Sequence, residues 1–90
     1  VSAMEIRRTN RFKKQFKRAI ARGCDSRRLE TFLTLVLSSQ PLPQSMRDHQ
    51  LVGNFAGCRE CHLAPDWLLI YQLSVTELYL IETGTHADLF

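Results

Sequence analysis

The sequence predicts an α+β domain, a helical hairpin packed on a small antiparallel sheet, and three observations predict it. Apolar residues recur at helical spacing from Phe12 to Ile20 and again from Leu29 to Leu37. Pro41-Leu42-Pro43 then closes the helical half, since proline denies backbone donors and disfavours helix before it. Beyond it, three short apolar runs separated by brief turns read as strands.

Taken in order, Met4 to Arg8 is an edge strand with Ile6 as its one inward apolar residue. Thr9-Asn10 is an N-cap pair for a first helix, in which Phe12, Phe16, Ala19 and Ile20 share a stripe while Lys13, Lys14, Lys17 and Arg18 lie elsewhere. Gly23 stops it. Asp25 or Ser26 caps a second helix carrying Leu29, Phe32, Leu33, Val36 and Leu37, with no Gly or Pro to break it before Gln40. The connection from Arg22 to Cys24 is short, so the two helices are expected to be antiparallel. After a loop, strands are expected at Gly57–Leu63, Trp67–Leu73 and Glu77–Ile81, joined by Ala64-Pro65-Asp66 and Ser74-Val75-Thr76 as an antiparallel meander.

At 90 residues the chain is one domain, read as 4–90, with Val1-Ser2-Ala3 before Met4 read as an expression remnant. A multidomain enzyme is excluded, and no run approaches the ~18 to 20 apolar residues of a spanning helix. Charge is uneven. Residues 1 to 30 hold ten Lys or Arg against three acids, a net of +7, while residues 31 to 90 hold two Arg against six acids, a net of −4. Such a basic segment is a footprint for an anionic partner such as RNA, a ribosome, a membrane surface or an acidic protein, or else a solvated helix face. The three cysteines are an odd number and no signal-peptide pattern opens the chain, so a cytoplasmic protein with free thiols is expected.

Cys58-Arg59-Glu60-Cys61-His62 has the C-x-x-C-H spacing of c-type haem attachment. On a strand the two thiols, three residues apart, point to opposite faces, and Cys24 is the one further thiol a zinc site would find. No cofactor or metal is expected. The three histidines carry more. His49 closes the polar loop, His62 ends the first meander strand and His86 follows the last, so all three can converge on one edge of the sheet. Imidazole, with a reference pKa of about 6.5, gives or takes a proton at neutral pH. Asp66 can orient a histidine or a ribose hydroxyl, Trp67 offers either a stacking face or core packing, and the terminal Phe90 reads as a base platform. Histidines, a carboxylate and aromatics beside a basic segment point to metal-independent RNA cleavage, in which the 2′-OH is the nucleophile.

Asp48-His49-Gln50-Leu51-Val52-Gly53, Gly57-Cys58-Arg59-Glu60-Cys61-His62, Pro65-Asp66-Trp67-Leu68-Leu69-Ile70-Tyr71 and Thr83-Gly84-Thr85-His86-Ala87-Asp88-Leu89-Phe90 together resemble the YafQ branch of the RelE superfamily of bacterial type II toxins. The resemblance runs from Met4 to the last residue. It implies a microbial RNase-like fold, cleavage of mRNA in the A site of the 70S ribosome against 16S rRNA, neutralisation by a DinJ-like antitoxin, and indirect operator DNA contact through the antitoxin complex. Carried over, His49, His62, Asp66, Trp67, His86 and Phe90 form the functional set, with His86 as general acid and the base shared among His49, His62 and Asp66. Lys13, Lys14, Lys17 and Arg18 meet ribosomal RNA. One position departs: the family's arginine before Thr-Gly-Thr-His is here Glu82, which repels a phosphate. An attenuated toxin is therefore expected, or one that uses Arg59 or Arg47 for the phosphate. The other class of reading is a catalytically inactive homologue that only binds antitoxin or ribosome.

Overall fold

Thr9 opens the first helix as its sequence predicts, its hydroxyl accepting the Phe12 N–H at 2.9 Å, and α1 runs Asn10–Ala21. The same hydroxyl donates to the Ile81 carbonyl at 2.6 Å, tying the helix start to the far end of the chain. The computed structural model describes residues 4–90; the expectation for Val1 to Ala3 lies outside the described residues. Helix α1 ends in a Schellman turn, Cys24 N–H to Ala19 O and Gly23 N–H to Ile20 O, with Gly23 at φ 102°. Helix α2 spans Arg27–Leu37, and Asp25 rather than Ser26 caps it, accepting the Arg27 N–H at 3.0 Å. It stops short of Gln40 because the same turn recurs there: Gln40 N–H bonds Leu35 O and Ser39 N–H bonds Val36 O. Ser39 takes the left-handed position at φ 56° that glycine fills after α1, so its sequence carries no stop signal.

The meander is present as β3 (Arg59–Ala64), β4 (Trp67–Leu73) and β5 (Glu77–Gly84), antiparallel throughout. Two flanking strands complete a five-stranded sheet, β1 (Glu5–Arg8) and β2 (His49–Gln50), in the order β1-β5-β4-β3-β2. The sheet is thus not wholly antiparallel. Strand β1 pairs parallel with β5, which the long helical connection between them permits. Ile6 does face the helices, opposite Leu78 and beside Phe12, Leu29 and Leu80, but β1 lies at the sheet edge and leaves it 38% exposed. Strand β2 has two residues, too few to show a period.

Alternation along the strands divides the sheet into two faces. Cys61 and Leu63 of β3, Trp67, Leu69 and Tyr71 of β4, and Leu78 and Leu80 of β5 form one core with Phe12 and Ala19 of α1 and Leu29, Phe32 and Val36 of α2. Helix α1 lies along β5 and α2 against β3. Past the end of β1 the edge of β5 is covered by a helix side chain: Gln15 Oε1 accepts the Thr83 N–H at 3.0 Å and its Nε2 donates to Glu82 at 3.2 Å. A bulge beside Ile70 and Tyr71 sets Tyr71 opposite Leu80 but Ile70 opposite Glu82.

Candidate active site

Register builds the site on the face that the helices do not cover. His49 pairs with Glu60, Glu60 with Ile70 and Ile70 with Glu82, while His62 pairs with Leu68 and Leu68 with Gly84. Directly opposed residues share a face, so His49, Glu60, His62 and Glu82 project together over a floor of Leu68 and Ile70, both 0% exposed. His86 arrives from the short helix α3 (His86–Leu89) just beyond β5. Its ring centroid lies 5.7 Å from that of His62.

Three contacts hold α3 in place. Thr85 and Asp88 form a capping box: the Thr85 hydroxyl accepts the Asp88 N–H, and Asp88 Oδ2 accepts the Thr85 N–H at 3.0 Å. Arg22 donates to the same carboxylate at 3.0 Å. The Thr85 backbone N–H, then Arg22, hold the Asp88 carboxyl below the usual carboxylate range. A Cβ at Gly84 would lie 3.0 Å from Asp88, so glycine is what lets α3 fold back against β5. Asp66, in the β3–β4 turn, reaches His86 with its Oδ1 3.5 Å from both the backbone N–H and Nδ1.

His49 is fixed from the other side, its Nδ1 2.7 Å from the Arg47 carbonyl, so Nδ1 carries the proton and Nε2 turns to Glu60 Oε1 at 3.5 Å. Arg47 itself is exposed and left-handed at φ 48°. Beneath this turn Asp48 is clamped on the helix-covered side, accepting from Arg59 Nε at 3.0 Å and Nη2 at 2.7 Å and from the Tyr71 hydroxyl. Burial first, then the Asp48 hydrogen bond, push the Tyr71 hydroxyl well above its usual range.

The expected residues therefore divide. His49, His62, Asp66 and His86 come together, and Phe90 is 66% exposed with its ring edge-on to Phe55 at 5.9 Å. Trp67 does not join them: it is 3% exposed in the helix-side core, 6.2 Å from Phe16 in a stacked arrangement. Its phase with Leu69 and Tyr71 puts the indole on the wrong face for a base. Arg59 is likewise in phase with Cys61 and bound to Asp48. Glu82 is 9% exposed, held by Gln15 and 3.7 Å from Arg11. Lys13, Lys14, Lys17 and Arg18 are exposed on α1.

Glu60 was absent from the sequence-derived set. It is 4% exposed, and it stands two residues before His62 on a strand, a spacing that already places both on one face. Glu60, His62 and His86 offer ligand atoms all within 4.8 Å of one another, a metal-capable set built without any cysteine. Arg28 of α2 also escaped notice; it lines, with His62, Thr31 and Ser45, a cavity of about 330 Å³ beside the cluster.

Across residues 4–90 the sequence matches the family described as "Bacterial toxin of type II toxin-antitoxin system, YafQ". The chain belongs to the YafQ family. A relative from Escherichia coli strain K12, named mRNA interferase toxin YafQ, is 39% identical over 87 residues, covering 96% of this chain and 95% of that protein. The E. coli YafQ structure solved as a DinJ–YafQ complex superposes with a TM-score of 0.87 at 39% identity, covering 97% of this chain and 98% of that one. A metal-bound toxin from Helicobacter pylori superposes with a TM-score of 0.88 at 35% identity, covering 97% and 99%. Membership in the YafQ family agrees with the resemblance read from the motifs and with the α+β fold.

Proposed function

We propose that this chain is the toxin of a type II toxin–antitoxin pair that cuts mRNA by acid–base catalysis at His62 and His86, in the cytoplasm. The observation that carries the reading is the pair of imidazoles 5.7 Å apart over a carboxylate, on the sheet face the helices leave free. Relatives named mRNA interferases, one of them solved with DinJ, support the substrate and a DinJ-like antitoxin as partner.

In this mechanism the ribose 2′-oxygen attacks the adjacent phosphorus as His62 takes its proton. Glu60, beside His62, steadies the imidazolium that forms. The P–O5′ bond breaks, His86 gives a proton to the leaving 5′-oxygen, and a cyclic 2′,3′-phosphate remains. Asp66 positions His86. Phe90, with Phe55 at its edge, stacks on a base, which a π-face allows without regard to sequence. The exposed basic residues of α1 meet ribosomal RNA, so cleavage is ribosome-dependent and falls in the A site; operator DNA is met indirectly, through the antitoxin.

Glu82 sets the level of activity. A buried carboxylate beside the phosphate repels it and removes a charge-assisted donor, a loss on the order of 10²-fold. With Arg59 engaged by Asp48, the cations left near the phosphate are Arg28, Arg47 and Arg11. Primer extension on a reporter mRNA in a bacterial cell-free translation reaction tests the reading. Ribosome-dependent cuts are expected from the chain and stronger cuts from Glu82→Arg. No cuts from either protein would leave the binding-only reading, which the carboxylate at position 82 favours.

A further inference from the structure

We propose that the cavity between α2 and the outer edge of β3 is a second nucleotide site, which holds one unstacked RNA base while Arg28 binds the adjoining phosphate. The choice of RNA as ligand rests on the cleavage reading given above, whereas the cavity and its lining stand on geometry.

The cavity has a volume of about 330 Å³, and His62 forms part of its wall. That size lies at the low end of the range for small-ligand pockets, roughly 300–1,000 Å³, and suits one nucleotide. Met46, Leu63 and Pro65 give it an apolar side against which a base can lie. Arg28 is the one Lys or Arg on it and no acid lines it. Among the described residues Arg28 has no ion-pair partner. A guanidinium left free beside such a cavity matches a phosphate in charge and in the geometry of its donors.

Register leaves backbone polar groups here as well. Strand β2 covers β3 only at Arg59 and Glu60, and the Leu51 N–H reaches the Cys58 carbonyl from that same side. Backbone groups alternate in direction along a strand, so the N–H and C=O of His62 turn to that side too, where β2 has no residue to meet them. The Leu68 carbonyl, across from His62, agrees with this phase: the Thr83 hydroxyl takes it on the opposite side at 2.6 Å. One donor and one acceptor side by side, with the Ser45 hydroxyl on the same cavity, can read the edge of a base. The Thr31 hydroxyl is already committed, donating to the Arg27 carbonyl at 3.0 Å.

Its place relative to the histidines gives the cavity its role. Phe90 meets Phe55, which precedes β3, whereas the cavity takes in Leu63 and Ala64 at the far end of that strand. His62 lies between the two along the chain. One nucleotide stacked on Phe90 and its neighbour drawn into the cavity are splayed apart with the bond between them at His62 and His86, held for attack. Phe90 accepts any base, so the sequence preference of the toxin resides in the cavity.

Fluorescence anisotropy of the full chain with labelled 2′-fluoro RNA trimers, one for each of the four bases, is the test; these trimers lack the nucleophile and are not cut. Affinity is expected to differ among the four. Thr31→Phe, which fills the cavity from an exposed helix position, should weaken the tightest of them about tenfold or more and level the differences. Thr34→Phe, exposed one turn further along and outside the cavity, should leave binding unchanged. Arg28→Ala should weaken all four alike and reduce the slope of log Kd against log salt by about 0.7, the share of one phosphate contact on a single strand. No binding of any trimer, binding that survives Thr31→Phe, or a salt slope unmoved by Arg28→Ala overturns the site. Trimers bound as expected by a chain that cuts no mRNA overturn the cleavage reading while the site stands. Cuts whose positions on a reporter mRNA are unmoved by Thr31→Phe overturn the site while cleavage stands.

Discussion

The two faces of the central sheet use the same three strands and do opposite work. On one, Cys61, Leu63, Trp67, Leu69, Tyr71, Leu78 and Leu80 meet the apolar stripes of both helices. On the other, Leu68 and Ile70 are just as fully buried, yet Glu60, His62 and Glu82 are their neighbours in register. The first face supplies the free energy of folding by removing apolar area from water. The second gathers ionisable groups over an apolar floor, where their interactions are less screened than in water. What differs is the alternate residue of each strand, so the proposed site and the helix-side core are separated by phase.

That division predicts reciprocal outcomes, and the largest effect belongs to a pair of substitutions. Phe32, 0% exposed and edge-on to Tyr71 at 4.9 Å, is central to the helix-side core. Phe32→Ala should destabilise the fold by about 3–5 kcal/mol in a denaturant titration. His62→Gln should change stability by no more than about 0.5 kcal/mol, yet lower mRNA cleavage by about 10²- to 10⁴-fold in the cell-free assay. A His62 variant as unstable as Phe32→Ala would break the comparison, because it would make the second face part of the structural core.

Asp48 tests the link between the faces. Its carboxylate satisfies Arg59 and Tyr71 on the helix side while its neighbour His49 serves the other. Asp48→Ala leaves two partly buried donors unpaired, and about 2–3 kcal/mol of stability should be lost. Cleavage per folded molecule should fall as well, since the turn holding His49 loosens. Unchanged activity in the folded fraction would mean that His49 needs no such anchor.

How much of this was legible follows the same phase rule. The helices and the meander were, because apolar period identifies them and Pro41 and Pro43 mark where the period changes. Strand β1 was read as an edge strand, but its parallel pairing was not, nor was the two-residue β2, because both depend on long-range register, which no local pattern carries. Within the site, the histidines were found by residue type. Trp67 and Arg59 were misplaced although the strands holding them were read correctly; counting by twos from Leu69 and Cys61 puts both beneath the helices. The same count finds Glu60 beside His62. Trp67→Phe is the matching test, expected to cost less than about 1.5 kcal/mol and to leave cleavage unaltered. A marked loss of cleavage would return the indole to the RNA.

The smallest effect asks whether the two faces are energetically separate. Ser39 ends α2 in a left-handed conformation at φ 56°, while Gly23 occupies the same place after α1 at φ 102°. A side chain there costs about 1–2 kcal/mol in strain, and glycine gives part of that back as greater freedom in the unfolded chain. Ser39→Gly should therefore stabilise the protein by about 0.5–1 kcal/mol, a rise in Tm of several degrees for a domain of this size. The gain is confined to the layer that covers the core. If phase alone separates folding from function, the stabilised variant will cut mRNA no faster and no slower than the parent; a change in rate would show that the end of α2 reaches the histidines through β3.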